Sequence, residues 1–268
     1  MLKLILRYNK IMYQRKTKQN TDTAWRKQSS QYKRSIDRDD SYQKSLILPG
    51  LIDIIKPSGR ELVLDIGCGT GFFSHALARS VKKVVGIDPA PDMIAAAAKQ
   101  RSANVSFLVG DAMKLPPLKE KYNLALMVMM IQNVSDMGAA FSEAARNLLP
   151  GSQLIIVMNH PVFRIPRQSA WGWDEERKLQ YRRIDSYMTE NKIPIEMRPG
   201  TNKKIVTWSF HRPFSAYAQA LRQAGFSIDD VQEWVSPKSS DPGARAKAED
   251  RARKEFPLFL TIVARKLS

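Results

Sequence analysis

The sequence predicts an α/β protein built on a doubly wound, mostly parallel sheet. Three observations predict it. Short apolar runs alternate with helix-period segments between residues 62 and 160, the pattern of repeated βαβ units. The runs are continuously apolar rather than alternating, as in strands covered on both faces. A glycine-rich turn, Gly67-Cys68-Gly69-Thr70-Gly71, joins the first run to the first helical segment. Open sheets of this kind bind ligands at such turns.

Residues 1–40 are polar and basic and read as a partly flexible N-terminal extension. Residues 41–268 read as the folded domain. Leu46, Leu48, Leu51, Ile54 and Ile55 share one helical face, closed by Pro57 and Gly59. Strands are predicted over 62–67, 83–88, 105–111, 122–131 and 153–160. Helices are predicted over 72–80, 91–101, with Asp92 in the first turn, and 137–149, stopped by Pro150-Gly151. Beyond His160 the regularity stops. Residues 161–212, rich in Arg, Pro, Trp and Tyr, read as a lid or substrate segment. A helix over 213–226 ends at Gly225. A strand over 227–235, a charged surface helix over 244–256 and a last strand over 257–267 complete the chain. There is no internal repeat.

With 268 residues, 43% of them hydrophobic, the chain can bury one large core with an added segment. The single cysteine, Cys68, excludes a disulfide within the chain and suits a reducing compartment, so a cytoplasmic location is expected. No run approaches the roughly 18 apolar residues of a membrane span. The apolar start is broken by Lys3 and Arg7 and lacks a small-residue cleavage site, so no secretory signal is expected. Net charge is +17, and residues 1–45 hold twelve Lys and Arg against four Asp. That balance favours acidic partners. The basic residues form no tight cluster, and aromatics do not interleave with them. Nucleic acid is therefore the second choice after a small molecule, and the oligomeric state is left open.

The chemistry centres on the glycine turn. Phe72 stands where the dinucleotide fingerprint wants a small residue, so a ligand without a pyrophosphate is expected. Asp88 ends the second strand about twenty residues on, where a carboxylate can accept from both hydroxyls of a ribose. Asp111 ends the third strand. It can accept from an adenine amino group while the Ala112 N–H meets a ring nitrogen. Together these features describe an adenosine pocket.

Residues 61–160 resemble the class I S-adenosylmethionine-dependent methyltransferases. The resemblance rests on "VLDIGCGTG", "VVGIDPAPDMI", "FLVGDAMKLP" and "EAARNLLPGSQLIIV". It implies a Rossmann-like sheet of seven strands, the last of them antiparallel and formed by "PLFLTIVARKL". It implies S-adenosylmethionine as cofactor and no metal. Asp65 would orient the methionine end of the cofactor, which Gly67, Gly69 and Gly71 would wrap. Asp88 would hold the ribose and Asp111 the adenine. Thr70, Pro89, Met93, Ala112 and Met127 complete the expected cofactor-binding set.

The stretch after the fourth strand, "MMIQNVSD", lacks the Asp/Asn-Pro-Pro-aromatic loop of the DNA amino-methylating branch. No cysteine pair is available for cytosine chemistry. The stretch is instead similar to small-molecule methyltransferases such as those of quinone biosynthesis. Methyl transfer to a small-molecule acceptor is the expected function. An RNA or protein acceptor, or a non-catalytic cofactor-binding module, are the alternatives. His160 and His211 are the candidate general bases, while His75 reads as packing. Trp171, Trp173, Tyr181, Tyr187 and Trp208 could stack on a planar acceptor. Arg164, Arg167, Arg182 and Arg183 could bind a carboxylate or phosphate. Trp25, Tyr32 and Tyr42 are expected to cover the cofactor.

Overall fold

The computed structural model describes residues 36, 38–196 and 206–268. Most of the N-terminal extension, Trp25 and Tyr32 included, lies outside the described residues. The described chain opens with a π-helical turn, Gln43–Ile47, that runs into helix α1, Leu48–Ile55. Here Ile47 and Leu51 are fully buried. The helix stops at Lys56, which adopts a left-handed conformation (φ 45°), so the break precedes the predicted Pro57 and Gly59.

Seven strands form the main sheet: β1 (Leu62–Ile66), β2 (Lys83–Asp88), β3 (Val105–Val109), β4 (Tyr122–Val128), β5 (Leu148–Asn159), β10 (Phe226–Trp234) and β11 (Phe259–Lys266). Their spatial order is β10-β11-β5-β4-β1-β2-β3. Strands β1 to β5 pair in parallel. The last strand, β11, is antiparallel to both β5 and β10. Helices α2 (Phe72–Leu77), α3 (Pro91–Ala97) and α4 (Met137–Asn147) make the crossovers. Asp136 caps α4 by accepting from the Ala139 N–H at 2.9 Å, worth about 1 kcal/mol.

The continuous apolar runs have a physical cause in the two faces of the sheet. Along β4, Leu124, Leu126 and Val128 pack on the α1/α2 side with Leu51, Phe73 and Leu77. The intervening Ala125 and Met127 pack on the other side, with Phe141, Tyr217 and Leu221. Strands β5 and β11 divide their residues the same way. From Leu124 to Val128 every residue of β4 meets a covered face, so none of these positions calls for a polar side chain.

Two elements depart from the reading of the sequence. Pro150 and Gly151 do not separate α4 from β5 by a loop. The strand begins at Leu148, immediately after the helix, and its pairing jumps from Tyr122↔Leu148 to Leu124↔Gln153. The Pro-Gly pair sits in that irregularity, with Gly151 at φ +75°, a region open to glycine. The larger departure is in residues 161–212, where the sequence shows no regular pattern. Their described part forms two antiparallel hairpins, β6 (Ser169–Asp174) with β7 (Leu179–Ile184) and β8 (Asn191–Glu196) with β9 (Val206–His211). Neither hairpin joins the main sheet. Helix α5 (Phe214–Gln223) then returns the chain to β10, and α6 (Ala246–Glu255) precedes β11.

Candidate active site

The parallel registers set the carboxylates at one end of the sheet. Asp65 stands opposite Gly86, and Asp88 opposite Val109. Asp65 and Asp88 thus lie at or beside the carboxyl ends of neighbouring strands, and Asp111 follows two residues beyond Val109. Between them Gly67, Gly69 and Gly71 take positive φ values of 76°, 54° and 81°, which favour glycine over any residue with a side chain. At Gly67 a Cβ would also lie 2.6 Å from the Cβ of Met130. The turn is drawn onto β2: the N–H groups of Gly67 and Cys68 both donate to the Ile87 carbonyl, and that of Gly69 donates to Asp88 Oδ2 at 3.0 Å.

Each acid keeps acceptor capacity. Asp88 Oδ1 accepts from the Ala90 N–H at 2.9 Å, so each of its oxygens holds one backbone bond and retains a second lone-pair site. Burial raises the Asp88 pKa, opposed by the Ala90 and Gly69 N–H groups. Asp65 is 2% exposed and accepts from Ser74 Oγ on α2 at 2.5 Å. Burial pushes it up to about 6, the Ser74 bond opposes this, and the nearby Asp88 charge adds to it. Asp111 Oδ1 accepts from the Met113 N–H at 2.9 Å. Cys68 is buried in the turn, and burial raises its thiol pKa well above the ordinary value, which makes it a packing group.

The remaining expected cofactor residues divide. Thr70, Met93 and Ala112, next in sequence to the crescent formed by the glycine turn and the three acids, are buried, and Pro89 is partly exposed. Met127 is fully buried in the core with Phe141 and Tyr217, so its side chain does not line the crevice. The methionine that touches the glycine turn is Met130.

A small, solvent-open cleft lies beside the carboxyl ends of β4 and β5. The 3₁₀ turn Ile131–Asn133, which follows β4, contributes Gln132, and Asn159 and His160 come from the end of β5. Ser209 and His211 of β9, Arg212, and Tyr217 of α5 face it from the inserted side. Both candidate histidines therefore meet in one cleft, but their chemistry differs. His160 Nδ1 lies 3.2 and 3.4 Å from the N–H groups of Val162 and Phe163, which donate to it. Its Nε2 must then carry the proton it donates to Glu233 at 2.7 Å. Burial lowers the His160 pKa, opposed by Glu233. Both of its nitrogens are committed. His211 Nε2 donates to the Tyr187 carbonyl at 2.7 Å. That bond fixes the tautomer and leaves the Nδ1 lone pair open to accept a proton.

His75 is a packing residue, bonded to Ser102 and to the Ala97 carbonyl. Among the aromatics, Trp171 packs edge-on to Phe256 under Arg182, Trp173 lies under Arg245, and Lys192 covers Trp208. Tyr187 alone reaches the cleft wall, through its carbonyl bond to His211. Its hydroxyl also accepts from the Phe214 N–H at 2.9 Å. Of the four arginines only Arg164 lines the cleft. Arg182 bonds the Phe163 carbonyl and Ser169, and Arg183 pairs with Asp185. Tyr42 bonds Ser236 and packs on Phe259, on the β11 side of the sheet.

Residues 63–151 match a family model described as a methyltransferase domain. The matched stretch holds the glycine turn together with Asp65, Asp88 and Asp111. The chain is 33% identical over 105 residues to a ubiquinone biosynthesis O-methyltransferase of Azorhizobium caulinodans, covering 38% of this chain and 42% of that protein. It is 35% identical over 104 residues to a demethylmenaquinone methyltransferase of Tropheryma whipplei, covering 38% and 43%. The matched stretch thus spans less than half the length of these curated relatives. A crystal structure of an S-adenosylmethionine-dependent methyltransferase from Mesorhizobium loti shares 25% identity and a TM-score of 0.65, covering 81% of this chain and 96% of that one.

The glycine turn and the three acids fit S-adenosylmethionine. A carboxylate with two open lone-pair sites suits a vicinal diol, and a buried acid beside a side-chain-free turn suits an ammonium. Sequence reasoning missed most of the cleft lining, Gln132 and Arg212 among it. Gln132 has no motif to announce it. Arg212 follows a histidine and precedes a proline, and only the fold shows that it is buried.

Proposed function

We propose that this chain is an S-adenosylmethionine-dependent methyltransferase whose acceptor is a small molecule held in the cleft between β5 and the inserted hairpins. One observation carries the reading: the glycine turn and the acceptor cleft meet at the end of β4, where Met130 touches Gly67 and Gln132 lines the cleft. When bound, the cofactor supplies an electrophilic methyl group on a sulfonium centre. Asp88 holds the ribose hydroxyls, Asp111 and the Ala112 N–H meet the adenine, and Asp65 faces the methionine end. Ser209, Phe210 and His211 of β9 wall the acceptor on the inserted side. Holding acceptor and methyl in line supplies roughly 7–11 kcal/mol of the barrier reduction. His211 Nδ1 takes the proton that the acceptor loses. His160, bonded through both nitrogens, positions the Pro161–Phe163 turn and acts as a wall. A cytoplasmic setting fits the lone cysteine.

The test is labelling of a metabolite extract with methyl-labelled cofactor, with Asp88→Ala as control. Label is expected in the small-molecule fraction and absent with the variant. Label in an RNA or protein fraction instead overturns the reading. Calorimetry with S-adenosylhomocysteine tests the pocket separately. Asp88→Ala removes two charge-assisted bonds to the ribose and is expected to weaken binding about a hundredfold.

A further inference from the structure

The cleft contains polar groups that the protein leaves unmatched. Arg212 is 5% exposed. Its Nη2 donates to the carbonyls of Val134 at 2.9 Å and Ser135 at 2.7 Å, and its guanidinium lies over the Phe210 ring at 5.3 Å. Its Nη1 is buried and has no hydrogen-bond partner among the described residues. The carboxylate near it is Glu190, 3.9 Å from Nε and itself 61% exposed, so that countercharge is long and solvent-screened. Burial raises the Tyr217 phenol pKa, opposed by the Arg212 charge and by a side-chain hydrogen bond between Tyr217 and Arg212. Arg164 lines the same cleft and forms no ion pair among the described residues. Among the described residues no Asp or Glu lines the cleft. Gln132 Nε2 donates to the Met129 carbonyl at 2.8 Å, while its Oε1 is buried without a partner among the described residues.

A guanidinium cannot shed its charge by losing a proton, and a buried donor without an acceptor costs free energy that a ligand recovers on binding. We propose that the molecule taken by this cleft carries an anionic oxygen group, a carboxylate or a phosphate, seated on Arg212 Nη1 and Arg164, and presents a hydroxyl or amine donor to Gln132 Oε1. That this molecule is the methyl acceptor rests on the function proposed above. The anion seat itself rests only on the cleft. Arginine suits both oxygen groups through its fork of parallel donors.

The test is calorimetry on the full chain with benzoate, inorganic phosphate and neutral benzyl alcohol, and separately with S-adenosylhomocysteine. One of the two anions is expected to bind and benzyl alcohol not to bind. Tighter benzoate assigns the seat to a carboxylate, and tighter phosphate to a phosphoryl group. Arg164→Gln is expected to weaken the bound anion roughly tenfold to hundredfold and to leave S-adenosylhomocysteine affinity unchanged. Arg251→Gln, which removes the same charge from the exposed face of α6, controls for net charge and is expected to change neither. Arg212→Lys keeps the charge but loses the fork, and is expected to weaken the anion as well. Because Arg212 also braces two carbonyls, the exposed Arg164 carries the test if that variant does not fold. Absence of binding by both anions, or equal weakening by Arg164→Gln and Arg251→Gln, overturns the anion seat. If S-adenosylhomocysteine still binds in that case, the proposed function stands. If the anion binds and S-adenosylhomocysteine does not, the seat stands and the proposed function falls.

Discussion

Asp65 couples the candidate site to pH. Burial holds it at about 6 in the folded chain against 3.8 for an ordinary aspartate. Between those values the folded state holds a proton that the unfolded chain has released. Stability contributed by this group therefore falls as pH rises through that window and is level above it. An ammonium bound beside Asp65 favours the carboxylate, and an α-amino group stays charged up to about pH 7.7. Affinity for S-adenosylhomocysteine is thus expected to rise as pH increases toward 6, by up to roughly tenfold per unit, and to flatten above. Calorimetry at about pH 5 and about pH 7 checks the slope. Asp88 shifts in the same direction, so Asp65→Asn isolates the effect. In that variant the Asp65 share of the slope vanishes. An unaltered slope would place the titration at another group.

At the scale of elements, the turn after β1 is held by geometry as much as by bonds. Gly67→Ala must place a Cβ 2.6 Å from Met130 while keeping φ near +76°. Backbone strain and overpacking each cost about 1–3 kcal/mol. A lowered thermal midpoint together with lost S-adenosylhomocysteine binding is the expected outcome, read by thermal unfolding with and without that ligand. Gly151→Ala is the contrast. Its φ is also positive, but no atom lies within 4 Å of the added Cβ, so some strain is expected with cofactor binding intact. These elements were legible in the sequence because apolar runs, glycines and strand-end acids are local signals. The strand core and the acid crescent could be read from residues 62–111 without knowing the fold. The hairpins of 169–211 could not. Trp171, Tyr181, Val206 and Trp208 are all more than a third exposed, so their faces lack the inside–outside contrast that announces a strand. The cleft was illegible for a related reason. It joins Gln132, His160 and the adjacent pair His211-Arg212 from three separate segments, and only the fold brings them together. His160 shows the same limit from the other side, since its strand-end position suggested a base, and only its two bonded nitrogens reveal a brace.

At the scale of the whole molecule, the charge of +17 and the compact cleft make opposing claims about the acceptor, and salt separates them. A single-stranded RNA held through six phosphate contacts loses affinity with a log–log slope near −0.7 per contact, so a fourfold rise in salt costs it about three hundredfold. A small anion seated on a cation that is 5% exposed is shielded from the bulk electrolyte, because screening acts weakly on buried pairs. The basic surface then raises the local concentration of an anionic acceptor without holding it. Turnover measured as label in the small-molecule fraction is expected to change less than about threefold from about 50 to about 200 mM salt, with the association rate rather than the bound complex taking most of that change. A loss of two orders of magnitude over the same range would instead mark a polyanionic acceptor spread across the surface. In that case Arg164→Gln would lower turnover no more than Arg251→Gln does.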